Sequence, residues 1–164
     1  MRNSGNGAAT ATRLNLKDEK IKVLSRHEPI TVPSGTSLAQ SIRAMQQARG
    51  DCLLICQEHR LVGIITERDV LMKVLGKDVD LESEVDAFMT SDPDTLTLED
   101  TVGVALEMMD RGGYRNVPLL GKDGEVTGLL RSQDVLEYVA EAFPEEVLNL
   151  PPRPHQKMEE PEGA

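Results

Sequence analysis

Two short segments of the chain combine polar side chains with an aspartate at the start of a predicted helix. The first is GIITERD, residues 63–69, and the second is GLLRSQD, residues 128–134. Thr66 and Asp69 of the first segment fit a ligand site, because a hydroxyl and free N–H groups at a helix N-terminus face a phosphate. A carboxylate at the same place accepts hydrogen bonds from sugar hydroxyls. The pattern therefore indicates a site for a phosphorylated sugar compound.

A purely structural interpretation of the first segment is also open. Thr66 and Asp69 have the spacing of a capping box, in which the hydroxyl accepts a backbone N–H and the carboxylate reaches back to the cap. In the second segment, Arg131 has no acceptor and Ser132 stands too close to Asp134 for the box spacing. The aspartate is nevertheless kept, which favours a role for the carboxylate itself.

The similarity between the two halves extends well beyond these segments. Residues 29–45 align with residues 93–109 at an offset of 64. Each stretch begins with a proline and a β-prone run, continues to a cap candidate at Thr36 or Asp100, and enters a helix with an apolar stripe. Two further apolar strands and a second helix follow in each half.

These elements predict an α/β fold of two tandem β-α-β-β-α repeats packed sheet to sheet about a pseudo-two-fold axis, which creates two related clefts. A unit of this size buries little surface alone, so the pair is expected to form one module. The predicted organisation is a disordered tail at 1–20, repeat 1 at 21–76, a linker at 77–85, repeat 2 at 86–143 and a Pro-rich acidic tail at 144–164.

Composition excludes several classes of function. A net charge of -10 and the absence of Trp argue against nucleic acid as a partner. No apolar run is long enough for a transmembrane span, so no membrane association is expected. Cys52 and Cys56 lie too far apart along one predicted strand for a disulfide, which favours small core residues in a reduced, cytoplasmic protein.

Catalytic and metal-binding patterns are also missing from the sequence. The three histidines have no metal-ligand spacing, so no metal site and no cofactor are predicted. No nucleophile is paired with a base, and no Walker motif is present to hydrolyse a nucleotide. The sequence therefore predicts a protein that is not an enzyme.

The layout resembles the CBS domain pair, or Bateman module. GIITERD matches the signature of that family, while GLLRSQD matches its glycine and aspartate but not its hydroxyl position. DAFMTSDPDTL, residues 86–96, looks like the lead into a repeat, and RGGYRNVPLL, residues 111–120, looks like the glycine, basic and Val-Pro segment before a strand. The order of these segments on tandem copies makes the resemblance specific.

The resemblance implies that the ligand is an adenosine nucleotide, AMP, ADP or ATP, or else S-adenosylmethionine. In the first cleft, Asp69 would bind the ribose and Thr66 and Arg115 the phosphate, with adenine against a set of residues from the second repeat: Thr95, Leu96 and Pro118. The second cleft would use Asp134 with Ser132 or Arg131, facing Thr31, Val32 and Asp51.

The two clefts are expected to differ in their affinity for an anion. Thr66 and Arg115 suit a phosphate, whereas an Arg131–Asp51 pair would neutralise the cation in the second cleft. We therefore expect one good site and one altered or empty site. An alternative interpretation places Arg131 on the surface over its own helix.

The expected function is that of a stand-alone sensor of adenosine nucleotides that acts on an unidentified protein partner. The alternative is a dimerisation scaffold with vestigial sites. A homodimer is expected in either case, through apolar helix faces that include some of Val70, Val74, Val135 and Val139.

Overall fold

The computed structural model describes residues 17–24 and 26–142. The predicted mixed α/β fold with two tandem repeats is confirmed. The first repeat contains β1 (Thr31–Pro33), α1 (Leu38–Ala48), β2 (Cys52–Gln57), β3 (Arg60–Thr66) and α2 (Glu67–Lys73). The second contains β4 (Thr90–Ser91), α3 (Val102–Gly112), β5 (Asn116–Leu120), β6 (Val126–Arg131) and α4 (Ser132–Ala142).

The first repeat carries a four-stranded sheet in the order β1-β2-β3-β4, in which β1 is parallel to β2 and the other pairs are antiparallel. The second repeat carries the antiparallel pair β5–β6. The strand expected after Pro93 is reduced to one parallel bridge between Leu96 and Leu119, so the β-α-β-β-α pattern is incomplete there. An antiparallel bridge between His27 and Leu129 extends the other edge of this sheet.

Each sheet is thus completed by a segment from the other half of the chain. Residues Thr90–Ser91 join the first sheet through β3, and His27 joins the second sheet through β6. The exchange also reaches the cores. Ile21 is buried in the core of the second repeat, and Val85 in the core of the first. The repeats therefore form one module, because separating them would open both cores to water.

The tails predicted from the sequence lie mostly outside the described residues. Residues 17–20, which the sequence assigned to the N-terminal tail, instead contact the start of α3. The carbonyl of Glu19 accepts the N–H of Val102 at 2.8 Å, and Lys20 forms a bridge with Thr101. A side chain on Gly103 would overlap the backbone of Lys17, so the glycine allows this close approach.

The helix caps fall one residue later than predicted. Ser37 caps α1 by accepting the N–H of Gln40, and Thr101 caps α3 by accepting the N–H of Val104. Thr36 and Asp100 were the predicted caps, but both side chains are engaged before the helix begins. The hydroxyl of Thr36 donates to Pro33, and the carboxylate of Asp100 accepts two hydrogen bonds from Thr97.

The two sheets meet through buried apolar side chains that include Cys52 and Leu129. Both cysteines are free, as expected. Burial, reinforced by the charge of Asp51, raises the pKa of Cys52 to about 12. The thiol is therefore protonated and serves as a small apolar core group.

The outer faces of α2 and α4 expose apolar side chains, but two of the four valines named from the sequence are not among them. Val74 and Val135 are buried, because these sides of the helices pack on the two cores. The exposed residues, which we call the outer apolar face, are Met72 and Leu75 of the α2 region and Leu136 of α4. Within the described part of the chain, no helix is long and apolar enough to cross a membrane.

We expect Ile21→Ala to lower the free energy of unfolding by about 2–4 kcal/mol, because it removes a buried side chain from a core that the residue reaches by exchange. Val23→Ala, two positions away, is a matched control, since Val23 is 46% exposed. It should change stability by no more than about 0.5 kcal/mol. Urea unfolding of both variants tests the exchange, and equal effects would contradict it.

Candidate ligand-binding site

Two cavities lie between the repeats, one beside each repeated segment. The first cleft has a volume of about 500 Å³, which is within the range of small-molecule sites. Four of its predicted residues line it, namely Thr66, Asp69, Arg115 and Pro118. The other two predicted residues, Thr95 and Leu96, are not among the described residues that line this cavity. Leu96 is buried in the core of the second repeat.

Thr66 and Asp69 are placed by the turn from β3 into α2. The hydroxyl of Thr66 accepts the N–H of Asp69 at 3.3 Å. In return, Asp69 Oδ2 accepts the N–H of Thr66 at 2.9 Å and its hydroxyl at 2.8 Å. The capping-box geometry foreseen for the first segment is therefore present. This geometry orients the Asp69 carboxylate relative to the cleft.

The Asp69 carboxylate retains capacity for a ligand. Its Oδ1 pairs with the ammonium of Lys73 at 2.9 Å, and the side chain remains 18% exposed. An ionised carboxylate offers about four lone-pair sites, of which these contacts use three. Burial raises the pKa of Asp69, but hydrogen bonds from Lys73 and Thr66 outweigh burial and hold the pKa below its ordinary value. The ionised group can thus accept one further hydrogen bond at neutral pH.

The wall opposite Asp69 carries one cation and one contact between the repeats. Arg115 lies immediately before β5, and its side chain lines the cavity. The side-chain Nδ2 of Asn116 donates to Asp51 Oδ2 at 3.1 Å. The carbonyl of Asp51 accepts the first N–H of α2 from Glu67 at 2.9 Å. Asp51 therefore links the start of α2, through its carbonyl, to Asn116 of the second repeat, through its side chain.

Tyr114 and Asp94 also line the first cleft, and the sequence analysis did not select either residue. The hydroxyl of Tyr114 donates to Asp94 Oδ2 at 3.1 Å. This hydrogen bond raises the pKa of Tyr114. The tyrosine ring covers Gly112, where any side chain would collide with it. The available signal was the GGY triplet directly before Arg115.

The second cleft has a volume of about 560 Å³, and of its predicted residues Arg131, Ser132 and Asp51 line it. The three others do not line it: Thr31 and Val32 lie on β1, and Asp134 is buried. The pairing expected between Arg131 and Asp51 is also wrong, because Arg131 pairs with Asp134 and Asp51 accepts from the side chain of Asn116.

Asp134 is sealed by two neighbouring side chains. Its Oδ1 lies 2.9 Å from Arg131 Nη2 and 2.8 Å from His27 Nε2, and Nη2 and Nε2 also contact each other. Its Oδ2 accepts the backbone N–H of Arg131 at 2.8 Å. Burial raises the pKa of Asp134, but hydrogen bonds from Arg131 and His27 outweigh burial and lower the pKa overall. The carboxylate makes its contacts inside the protein and does not line the cleft.

His27 is one of the three histidines for which the sequence predicts no metal site. It reaches Asp134 from 107 residues away because its strand segment is exchanged into the second sheet. No local pattern could have linked the two residues. Within residues 17–24 and 26–142, no group of three or more His, Cys, Asp or Glu side chains is arranged to hold a metal ion.

The fold and the paired clefts define a tandem-repeat α/β module. The family model for the CBS domain matches residues 20–76 and again residues 83–141, and the chain therefore belongs to the CBS domain family. The resemblance inferred from the repeated segments is confirmed.

Two relatives illustrate the range of the similarity. CBS domain-containing protein CBSCBSPB5 of Arabidopsis thaliana is 37% identical over 116 residues, which cover 69% of this chain and 21% of the relative. An uncharacterized 17.7 kDa protein of Acidianus ambivalens is 28% identical over 117 residues, which cover 71% of this chain and 70% of the relative. This chain spans about a fifth of the Arabidopsis protein, so that comparison concerns only the shared segment.

Solved structures show the same fold. The CBS domain pair of protein MJ0100, in complex with 5'-methylthioadenosine and S-adenosyl-L-methionine, has a TM-score of 0.63 and 27% identity, with 72% of this chain and 97% of that chain covered. CBS domain protein PAE2072 from Pyrobaculum aerophilum, complexed with AMP, has a TM-score of 0.66 and 24% identity, with 74% and 98% covered. The second comparison concerns the fold alone.

We expect Asp134→Asn to lower the free energy of unfolding at pH 7 by about 1–3 kcal/mol, because it removes the charge that Arg131 and His27 contact. The low pKa of Asp134 means that the ionised carboxylate stabilises the fold above its unfolded pKa of about 4. That contribution is lost as the pH falls through the lower folded pKa.

The difference between wild type and Asp134→Asn should therefore narrow as the pH falls below about 5. Urea unfolding from pH 7 to pH 3 measures this change. Asp123→Asn makes the same chemical substitution in an exposed turn and should leave the acid dependence unaltered. A constant difference between wild type and Asp134→Asn across the pH range would refute the assignment.

Proposed function

We propose that this chain is a regulatory CBS pair that binds one adenosine nucleotide in the first cleft and transmits occupancy to a protein partner. The observation that carries the proposal is the pairing of a partly exposed aspartate, with one free acceptor position, and an arginine on the opposite wall. This combination suits a ligand with sugar hydroxyls at one end and a phosphate at the other.

The remaining lining residues fit the same ligand. In the proposed pose, Asp69 Oδ1 accepts a ribose hydroxyl, and Arg115 and Arg68 contact the phosphate. Pro118 and Ile64 provide an apolar surface for the base. Thr66 keeps its capping hydrogen bonds, and in this pose it lines the cleft between the sugar and the phosphate.

A related structure supports an adenosine ligand. The MJ0100 pair, at 27% identity, is in complex with two adenosine compounds. AMP, ADP and ATP are the ligands proposed here. S-adenosylmethionine is the alternative, because the acidic groups Asp51, Glu67 and Asp94 in the same cleft suit a cationic sulfonium or amine. A catalytic role is not proposed, since the ligand is bound for regulation.

We also propose that the outer apolar face pairs two copies of the chain. Met72, Leu75 and Leu136 are 66%, 60% and 65% exposed, so both repeats contribute apolar side chains to this face. A two-fold pairing with a second copy would use the same patch on both chains and bury these side chains. The second candidate function, a dimerisation scaffold without a ligand, rests on this face and on the sealed Asp134.

We expect Asp69→Ala to reduce the affinity for AMP by tenfold to a hundredfold, because it removes charge-assisted hydrogen bonds worth roughly 1.5–3 kcal/mol. Asp134→Ala should lower AMP affinity less, because its carboxylate faces away from both clefts. Calorimetric titration of both folded variants measures the difference. Melting of the ligand-free proteins gives the separate effect on stability.

The controls separate ligand binding from capping. If Asp69 acts only as a helix cap, Asp69→Ala will lose about 1 kcal/mol of stability while AMP affinity is unchanged. For wild type, AMP at a hundredfold excess over its dissociation constant should add about 2.7 kcal/mol of stability, and GTP should add less. Unshifted melting with every adenine nucleotide would favour the scaffold function.

We expect sedimentation of the wild-type protein at tens of micromolar to give a homodimer and Leu136→Glu to give a monomer. A carboxylate buried without a partner in an interface costs several kcal/mol. Leu81→Glu introduces the same charge at a residue that is 46% exposed but lies in the linker, so it should leave the dimer intact. A monomeric wild type, or a dimeric Leu136→Glu variant, would argue against this interface.

A further inference from the structure

The two clefts share a wall. Asp51, Arg115 and Asn116 line both cavities, and the hydrogen bond from Asn116 to Asp51 lies in this wall. Asp51 and Arg115 are equivalent residues of the two repeats, 64 positions apart. Arg115 is therefore accessible from both cavities.

The clefts differ in charge on either side of this wall. The first is lined by four carboxylates and two arginines: Asp51, Glu67, Asp69, Asp94, Arg68 and Arg115. The second is lined by two carboxylates and three arginines, together with His27: Glu28, Asp51, Arg49, Arg115 and Arg131. A chain of phosphates is repelled by the carboxylates of the first cleft. Because Arg131 is paired with the buried Asp134, the attraction into the second cleft comes mainly from Arg49 and Arg115.

The second cleft lacks what a nucleoside would need. Asp134, which corresponds to the ribose-binding Asp69, has both oxygens engaged by Arg131 and His27 and is 1% exposed. Arg131 uses Nε and Nη2 for Asp134, and its side chain is still 33% exposed. The cleft therefore presents guanidinium groups to an anion but no free aspartate to a sugar.

We propose that the two clefts together bind a single nucleoside polyphosphate. Its nucleoside occupies the first cleft, and its phosphate chain passes Arg115 into the second cleft, where Arg49 and Arg131 contact the distal phosphates. This inference rests on the proposed function of the first cleft and specifies the ligand class. It predicts one ligand per chain and tighter binding of the triphosphate than of the monophosphate.

Arg49 is the residue that tests the proposal, because it lines the second cleft and not the first. It is the C-cap of α1 with a φ of 52°, a left-handed conformation that asparagine tolerates. Arg49→Asn therefore removes the charge with little disturbance of the backbone. Arg43→Gln removes the same charge from an exposed position of α1 that lines neither cleft, and it serves as the matched control.

The experiment is calorimetric titration of AMP, ADP and ATP into the three proteins without divalent cations. For wild type we expect one ligand per chain and an affinity that rises from AMP to ATP. Arg49→Asn should weaken ATP about tenfold, the loss of one charged contact, and leave AMP unchanged. Arg43→Gln should change neither affinity.

Binding of two ligands per chain would overturn the shared-ligand proposal. The same holds if Arg49→Asn lowers the affinities for AMP and ATP equally, or lowers neither. In each of these cases nucleotide binding itself would stand. If wild type binds none of the three nucleotides, the proposed function fails together with this inference. The shared-ligand proposal is supported if the ratio of ATP affinity to AMP affinity is reduced in Arg49→Asn and unaltered in Arg43→Gln.

Discussion

Each hydrophobic core of this molecule is closed by apolar side chains that come from the other half of the chain. Ile21 fills the core of the second repeat, and Val85 fills the core of the first. Neither repeat can therefore complete its core alone, and the relative position of the two halves is constrained by packing. The clefts depend on this constraint, since their walls come from both repeats and their widths would otherwise vary with the motion of one repeat against the other.

The same exchange makes the two aspartates of the repeated segments unequal. Asp69 and Asp134 both accept the backbone N–H of the residue that precedes their helix, at 2.9 Å and 2.8 Å. The exchanged strand segment brings His27 against Asp134, whereas Asp69 is met by Lys73 of its own helix and remains partly exposed. A shared structural role thus explains why both carboxylates are present, and their different neighbours decide which one a ligand can reach.

Much of the fold could be predicted because the apolar periodicity of helices and strands is local and occurs twice. The turn at Thr66 and Asp69 was predictable for the same reason, since a capping box spans four consecutive residues. The exchange was not predictable from periodicity, because turns as short as Ile21–Val23 carry no repeating pattern. The expected pairing of Arg131 with Asp51 was wrong, because Arg131 pairs with Asp134, three residues away at the start of its own helix.

Helix α2 connects the cleft to the outer apolar face. Asp69 faces the cleft, whereas Met72 of the same helix is 66% exposed on the outside. Lys73 binds Asp69 Oδ1 at 2.9 Å and donates to the carbonyl of Phe88 at 2.7 Å, just after the turn that closes the first core. In the proposed pose, a ligand hydroxyl would share Asp69 Oδ1 with Lys73. Under the proposed function, ligand binding changes partner affinity only if it favours one arrangement of these contacts. The Lys73 ammonium, which contacts both Asp69 and Phe88, is the place where we expect such a difference to arise.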